Sequence, residues 1–139
     1  MSTIVAYLAH PKHLRSEAQS IAEYLRSNLD ICIIDPFDHP FTEEWSKNPT
    51  ESLAHRIVAK DVRYIKQANI VIALYPESGS IGVPMEIWLA KKLDKPIFVL
   101  TTLQHHPWLT YCAKAIVHNK ADLLSTLKKL HQKEENASA

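Results

Sequence analysis

Residues 69–90, NIVIALYPESGSIGVPMEIWLA, decide the fold of this chain. The stretch opens with apolar and β-branched residues at 70–75 and no charge, which is typical of a strand buried on both faces of a parallel sheet. A polar loop at 77–82 follows and holds both glycines of the chain, so backbone freedom is concentrated there. Pro84 suits the start of a helix because its missing N–H would lack a partner there. The stretch therefore predicts a strand, a loop and a helix, with the loop at the sheet edge where ligands bind.

Glu86 stands about three residues into the predicted helix. A helix start presents free N–H groups and a partial positive charge, which suit a phosphate or a carboxylate. The commoner interpretation of Glu86 is an acidic residue that complements the helix dipole in the first turn. The alternative is an ionised carboxylate at the mouth of a cleft, ready to act as a nucleophile. The residues alone leave both open.

The rest of the chain alternates in the same way. Further strands are predicted at 3–9, 31–34, 96–102 and 115–118, and helices at 14–28, at 50–68 and from Asn119 to about 131. Loops are predicted at 37–49 and 103–111, and the loop at 37–49 has room for a helical turn at 42–45. This alternation predicts a three-layer α/β fold. Right-handed crossovers favour a doubly wound, flavodoxin-like parallel sheet of about five strands in the order 2-1-3-4-5. That order would bring Tyr7 next to the loop that contains Ser80.

Length and composition limit the classes of function. The 139 residues predict a single domain over 1–133 with a disordered tail at 134–139. The net charge of +1 argues against a nucleic-acid or anionic-membrane surface. Apolar runs stay short of the ~20 residues of a membrane span, and the N-terminal segment lacks a signal-peptide pattern, so a cytoplasmic protein is expected.

Cysteines and histidines give no sign of a disulfide or a metal site. Cys32 lies in an apolar run and is expected in the core, and Cys112 could be a packed thiol in the same way. A disulfide between them is not expected in a cytosolic protein. His105 and His106 are adjacent rather than spaced as metal ligands. We therefore predict no metal and no cofactor.

Residues 80–86, SIGVPME, followed by KPIFV at 95–99, resemble the signature of the nucleoside 2-deoxyribosyltransferase family. The pattern is most similar to the branch that hydrolyses 2'-deoxynucleoside 5'-monophosphates, which carries Ser-x-Gly-Val-x-x-Glu at this turn. Asp61, in a helix before the strand, and Tyr7, in the first strand, also fit the family. The resemblance spans residues 3–100 and weakens towards 118. The first loop departs from it, because the family usually has a Gly/Ser-rich loop where this chain has AHPKH at 9–13.

The resemblance implies three catalytic residues. Glu86 would attack the anomeric carbon and form a glycosyl ester, which water or a second base would resolve. Tyr7 would hydrogen-bond Glu86 and orient it. Asp61 would hold the sugar hydroxyls or assist protonation of the departing base, and the sequence leaves both roles open.

The resemblance also implies a binding loop and a second subunit. Ser78, Gly79, Ser80 and Gly82, with the helix N-terminus, would hold a 5'-phosphate, and His10 is a further substrate-binding candidate. Residues 109–113 resemble the family stretch that donates a hydroxyl to a neighbouring subunit, with Thr110 in the hydroxyl position. This similarity, and the succession of apolar residues at 87–89, predict a homodimer or a higher homo-oligomer.

Three functions remain open at this stage. The first is an N-glycosidase acting on nucleoside or 2'-deoxynucleoside 5'-monophosphates. It is favoured because the transferase branch looks acidic at the position of Ser80, where a negative charge would repel a phosphate. The second is a nucleoside deoxyribosyltransferase. The third is a nucleotide-binding regulatory module with a degenerate site, suggested by the unusual 9–13 loop. In each case the ligand is a nucleotide or nucleoside, and Phe37, Phe41 and Trp45 would either stack on its base or cover the sheet edge.

Overall fold

The sheet that organises the molecule has five parallel strands. The computed structural model describes residues 3–138, without the side chains at positions 134, 135 and 138. The strands are β1 (Ile4–Ala9), β2 (Ile31–Ile34), β3 (Ile70–Tyr75), β4 (Ile97–Thr101) and β5 (Ala115–Val117). Their order is β2-β1-β3-β4-β5. The predicted flavodoxin-like fold is therefore confirmed.

Within the described residues a short 3-10 helix spans Lys12–Leu14, and six α-helices cover the sheet: α1 (Arg15–Asn28), α2 (Pro40–Lys47), α3 (Glu51–Gln67), α4 (Gly82–Lys92), α5 (Pro107–Cys112) and α6 (Lys120–Ser138). Side chains alternate between the two faces of each strand. Leu8 and Ile72 thus join a core cluster with α1 and α6. Tyr7 and Val71 join the opposite cluster with α3, α4 and α5. This alternation places Tyr7 on the same side of the sheet as the helices that carry Asp61 and Glu86.

Two predicted loops contain helices. Helix α2 lies within the predicted loop at 37–49, and α5 lies within the one at 103–111. Each begins with a His-Pro pair: His39 Nδ1 accepts a hydrogen bond from the N–H of Phe41 at 3.1 Å, and His106 Nδ1 accepts one from Trp108 at 3.2 Å. Proline is favourable at the first helical position. Histidine is not among the usual capping residues, and this is why the pattern indicated loops.

The C-terminal helix is longer than predicted. Asn119 caps it as expected, with its Oδ1 accepting from the N–H of Asp122 at 2.8 Å. The helix continues to Ser138, whereas the prediction ended it near residue 131 and made 134–139 disordered. The helical backbone over 134–138 corrects that prediction, since this segment contains neither Gly nor Pro and is rich in good helix formers. Residue 139 lies outside the described residues.

Cys32 is exposed, contrary to the prediction that it packs in the core. It lies on β2, an edge strand whose Ile31 and Ile33 are buried while the intervening side chain faces solvent. Cys112 is buried in the cluster beneath α5, and both cysteines are free. No helix in the described part of the chain is long and apolar enough to cross a membrane.

Candidate active site

Tyr7, Asp61 and Glu86 meet at the carboxyl ends of β1 and β3. Tyr7 is fully buried on β1, Asp61 lies on α3 and Glu86 on α4. Burial raises the pKa of the Tyr7 hydroxyl well above its usual value, and the charges of Glu86 and then Asp61 raise it further. The three side chains predicted to be catalytic are therefore close neighbours. Tyr7 is a neutral hydroxyl that can donate a hydrogen bond.

Unsatisfied polar atoms are concentrated at this point. Tyr7 Oη, Asp61 Oδ1 and Glu86 Oε2 are buried and have no hydrogen-bond partner among the described residues. Lys60 Nζ lies 3.2 Å from Asp61 Oδ1, an ion pair without hydrogen-bond geometry. Tyr7 faces Glu86 closely enough to lower the pKa of that carboxyl, yet no well-formed hydrogen bond joins them. Buried polar groups are nearly always satisfied, so the cluster has the character of a site that a polar ligand completes.

Glu86 has an unusual acidity. Burial is the largest influence and raises the pKa of its carboxyl from 4.5 to about 7. Tyr7 opposes the rise, the charge of Asp61 adds to it, and His10 and Lys60 oppose it. Both the protonated and the ionised form are therefore present near neutral pH. A carboxylate with little solvation in a cleft is a stronger nucleophile than one in water.

Asp61 is also less acidic than an exposed aspartate. Burial raises the pKa of its carboxyl, and the Lys60 ammonium and then His39 oppose the rise. A buried carboxyl group of this kind can supply or accept a proton.

A cleft of about 290 Å³ opens beside these carboxyl groups. Asp61 and Glu86 lie on its lining, as do Phe37, Phe41 and Trp45. The three aromatic side chains thus face the same space as the two carboxyl groups. A planar base can stack on such a surface while its sugar reaches Glu86. A larger open groove of about 990 Å³ lies elsewhere and includes Ser78 but none of the three clustered groups, so the smaller cleft is the one that the clustered carboxyl groups line.

The loop before α4 has the geometry of a helix cap. Gly79 adopts φ 83°, a left-handed conformation that favours glycine. Ser80 Oγ accepts a hydrogen bond from the N–H of Val83 at 3.3 Å. A Cβ on Gly82 would lie 3.2 Å from Glu86 Oε1, so the missing side chain leaves room for the carboxylate against the backbone. Gly82 is therefore beside Glu86, Ser80 caps the start of α4, and Ser78 faces the larger groove.

His10 supports the cleft rather than lining it. It is 2% exposed, with Nε2 2.8 Å from Asp35 Oδ1 and Nδ1 3.0 Å from the carbonyl oxygen of Pro11. Its ring centroid is 4.8 Å from that of Phe37, whose N–H donates to Asp35 at 3.0 Å. His10 and Asp35 thus fix the backbone and ring of Phe37.

Thr110 is not part of the cleft of its own chain. It is exposed on α5, and neither the cleft nor the larger groove includes it. Its predicted role requires a second subunit.

Sequence reasoning missed Lys60 and Asp35. Lys60 is 3% exposed and donates to the carbonyl oxygen of Pro36 at 2.5 Å. No pattern marks a lysine on a helix as buried. Asp35 was detectable in principle, since it directly follows a strand at the edge of the sheet where ligands bind. Hydrogen bonds from His10 and Phe37 hold the pKa of Asp35 below its usual value, although burial, the largest single influence, acts in the opposite direction.

Within residues 3–138, no group of three or more His, Cys, Asp or Glu side chains is arranged to hold a metal ion.

The family model described as nucleoside 2-deoxyribosyltransferase matches residues 6–132. The chain belongs to this family. The resemblance read from residues 80–86 is thereby confirmed, and so is the prediction of an enzyme. No curated protein matches the sequence.

Two solved structures illustrate the shared fold. A 2-deoxyribosyltransferase from Bacillus psychrosaccharolyticus is 18% identical with a TM-score of 0.68, over 86% of this chain and 90% of that chain. The CMP N-glycosidase BcmB of Clostridium botulinum is 18% identical with a TM-score of 0.52, over 89% of this chain and 98% of that chain.

Proposed function

We propose that this protein is an N-glycosidase that releases the base from nucleoside or 2'-deoxynucleoside 5'-monophosphates. The observation that carries the proposal is the buried Glu86 carboxyl group. Its Oε2 has no partner in the described structure, it faces the Tyr7 hydroxyl, and it lies on a cleft with aromatic walls. A nucleotide would supply a sugar for the carboxylate and a planar base for those walls.

In the proposed reaction, the ionised carboxylate of Glu86 attacks the anomeric carbon. A carbon–oxygen bond forms while the N-glycosidic bond breaks, and the departing base keeps the electron pair and takes up a proton. Water then attacks the anomeric carbon of the glycosyl ester, releases the sugar phosphate and regenerates Glu86. Tyr7 orients the nucleophile, and Asp61 either protonates the base or binds a sugar hydroxyl.

The loop before α4 is the proposed phosphate site. Ser80 offers a hydroxyl group, and the start of α4 adds the N–H of Gly82, whose backbone lies against Glu86. A helix start also carries partial positive charge, which favours a dianionic phosphate. The name of the C. botulinum relative, a CMP N-glycosidase, agrees with a nucleotide substrate.

Base exchange between deoxynucleosides is the second candidate. The deoxyribosyltransferase from B. psychrosaccharolyticus has the higher TM-score of the two neighbours above, and the reaction shares the first step. The two candidates differ in the acceptor of the sugar, which is water in the N-glycosidase and a second base in the transferase.

The test is to incubate the protein with a panel of nucleoside monophosphates and nucleosides and to measure free base by chromatography. Release of base from monophosphates without an added acceptor supports the hydrolase. Strict dependence on an added base supports the transferase. Glu86→Ala is the negative control in both assays.

We further propose a homodimer formed through α4 and α5. Trp88 and Trp108, whose ring centroids are 5.7 Å apart, are 39% and 64% exposed, and Tyr111 beside them is 61% exposed. Exposed apolar surface of this kind is typical of interfaces. In the dimer, Thr110 would reach the phosphate bound by the partner subunit. Light scattering at micromolar concentration tests the assembly, and a fully active monomer would refute it.

A further inference from the structure

Lys60 is a buried cation for which the reaction described above has no use. It lies on α3 with 3% of its surface exposed, on the lining of the same cleft as Asp61 and Glu86. Lysine is almost never fully buried unless it is paired, because an isolated charge is costly to remove from water. A lysine buried in the wall of a reaction cleft therefore calls for a functional explanation.

The contacts of Lys60 connect two parts of the cleft. Its Nζ donates to the carbonyl oxygen of Pro36 at 2.5 Å and lies 3.2 Å from Asp61 Oδ1. Nζ also lies 5.6 Å from the ring centroid of Tyr64 on the same helix. The Pro36 carbonyl precedes Phe37, an aromatic wall of the cleft. Lys60 thus joins the segment that carries this wall to the helix that carries Asp61.

The charges around the cleft show what this cation compensates. Asp61 and Glu86 are two buried carboxyl groups in one site, and two like charges oppose each other's ionisation. Burial is the largest influence and raises the pKa of both, and Lys60 acts against the rise in both. The other titratable groups that face these three residues are Tyr7 on β1, His10 and Lys12 after β1, Asp35 after β2, His39 before α2 and Tyr64 on α3.

Other nitrogen-bearing side chains at the site are engaged elsewhere. The His10 ring hydrogen-bonds with Asp35 at 2.8 Å, and Lys12 Nζ donates to Ser46 Oγ at 2.6 Å. Among the described residues, Lys60 is the only one that places an ammonium group within ion-pair distance of Asp61 or Glu86. Without this ammonium, nothing at ion-pair distance would compensate the charge of Asp61 beside Glu86, and a protonated Glu86 is not a nucleophile.

We propose that Lys60 is a positioning residue for base release: its ammonium holds Asp61 in place and compensates the charge of that carboxylate, so that Glu86 can be ionised beside it at neutral pH. This inference rests on the proposed function for its kinetic test. Lys60 does not touch the reacting atoms, and its effect passes through the two carboxyl groups.

The test compares Lys60→Met with Lys66→Met, which makes the same substitution at an exposed position of the same helix. The pH dependence of kcat for base release is measured for both. An opposite charge within a few ångströms changes a pKa by roughly one unit or more. Lys60 is at that distance from Asp61 but is the smallest of the five influences on the pKa of Glu86. We therefore expect the acidic limb of Lys60→Met to move up by at most about one unit, with a loss of about two- to fivefold near neutral pH that largely disappears at alkaline pH. Lys66→Met should follow the wild type.

Two kinetic results would overturn the inference. One is a loss in Lys60→Met that is equal at every pH, which would indicate a structural role alone. The other is a raised KM with an unmoved acidic limb, which would make Lys60 a substrate-binding group. If Lys60→Met does not fold, Lys60→Gln takes its place, because the amide can still donate to the Pro36 carbonyl while lacking the charge.

A measurement without substrate separates this inference from the proposed function. In ¹³C-labelled, ligand-free protein, carboxyl NMR follows the titration of Glu86, assigned by its disappearance in Glu86→Gln. A higher midpoint in the charge-removing Lys60 variant supports the inference, and an unchanged midpoint contradicts it. If the wild type releases no base from any substrate, the proposed function fails, whereas the NMR result still decides the role of Lys60.

Discussion

Replacing Glu86 by glutamine should make the protein more stable at alkaline pH. The folded state raises the pKa of this carboxyl group, chiefly by burial, so the folded protein binds the proton more tightly than the unfolded chain. Between the two pKa values the folded state holds more protons, and the free energy of unfolding therefore falls as the pH rises. The favourable contribution of Glu86 to the free energy of unfolding is complete below its pKa in the unfolded chain. It is lost as the pH rises through its pKa in the folded protein. Glutamine has nothing to ionise and removes this dependence.

The magnitude follows from the size of the change. Each pKa unit corresponds to about 1.36 kcal/mol, so a rise from 4.5 to about 7 corresponds to about 3 kcal/mol. Wild type should lose about that much free energy of unfolding, relative to Glu86→Gln, between about pH 4.5 and about pH 8.5. This is a large fraction of the stability of an ordinary domain.

Urea denaturation of both proteins across this range measures the difference directly. Glu23→Gln is the matched control, since Glu23 is exposed on α1. It should show a difference from wild type that is small at every pH. A difference between wild type and Glu86→Gln that stays constant with pH would refute the argument that burial raises the pKa of Glu86.

Three further predictions concern catalysis and binding. Tyr7→Phe should raise the pKa of Glu86, because the Tyr7 hydroxyl lowers it, and should reduce kcat by about tenfold or more while the acidic limb of the pH profile moves upward. An unmoved acidic limb would exclude contact between the two groups. Ser80→Asp should lower activity on monophosphates by about two decades, mainly through KM, while sparing nucleosides, because it sets a carboxylate against the phosphate; equal losses on both would refute the phosphate site and favour the transferase. Phe37→Ala should raise KM by about tenfold with kcat nearly unchanged, because stacking on a base contributes about 1–3 kcal/mol; an unchanged KM would show that this ring covers the sheet edge instead.

The strands and their order were predictable because the signals are local and repeated. The uncharged run at 70–75 and its counterparts at 4–9 and 97–101 need burial on both faces, and only a sheet covered by helices on both sides provides it. The capping residues Thr50 and Asn119 have side chains that commonly begin helices, and both do so here.

What the sequence could not predict depends on contacts between distant residues. His10 and Asp35 are far apart in the chain, and their hydrogen bond exists only because β1 and β2 are neighbours. The burial of Lys60 depends on a backbone carbonyl that the fold brings to it. Helix α5 was missed, and only a turn at 42–45 was predicted of α2, for a local reason, because histidine is an uncommon cap.

Base release by Glu86→Ala tests the central claim most directly. The protein and the variant are incubated with nucleoside monophosphates, free base is measured by chromatography, and circular dichroism verifies that the variant is folded. Removal of a nucleophile normally lowers kcat by several decades. We expect wild type to release base and Glu86→Ala to release at least about a thousandfold less. A folded variant that keeps more than about a tenth of the wild-type rate would show that Glu86 is not the nucleophile.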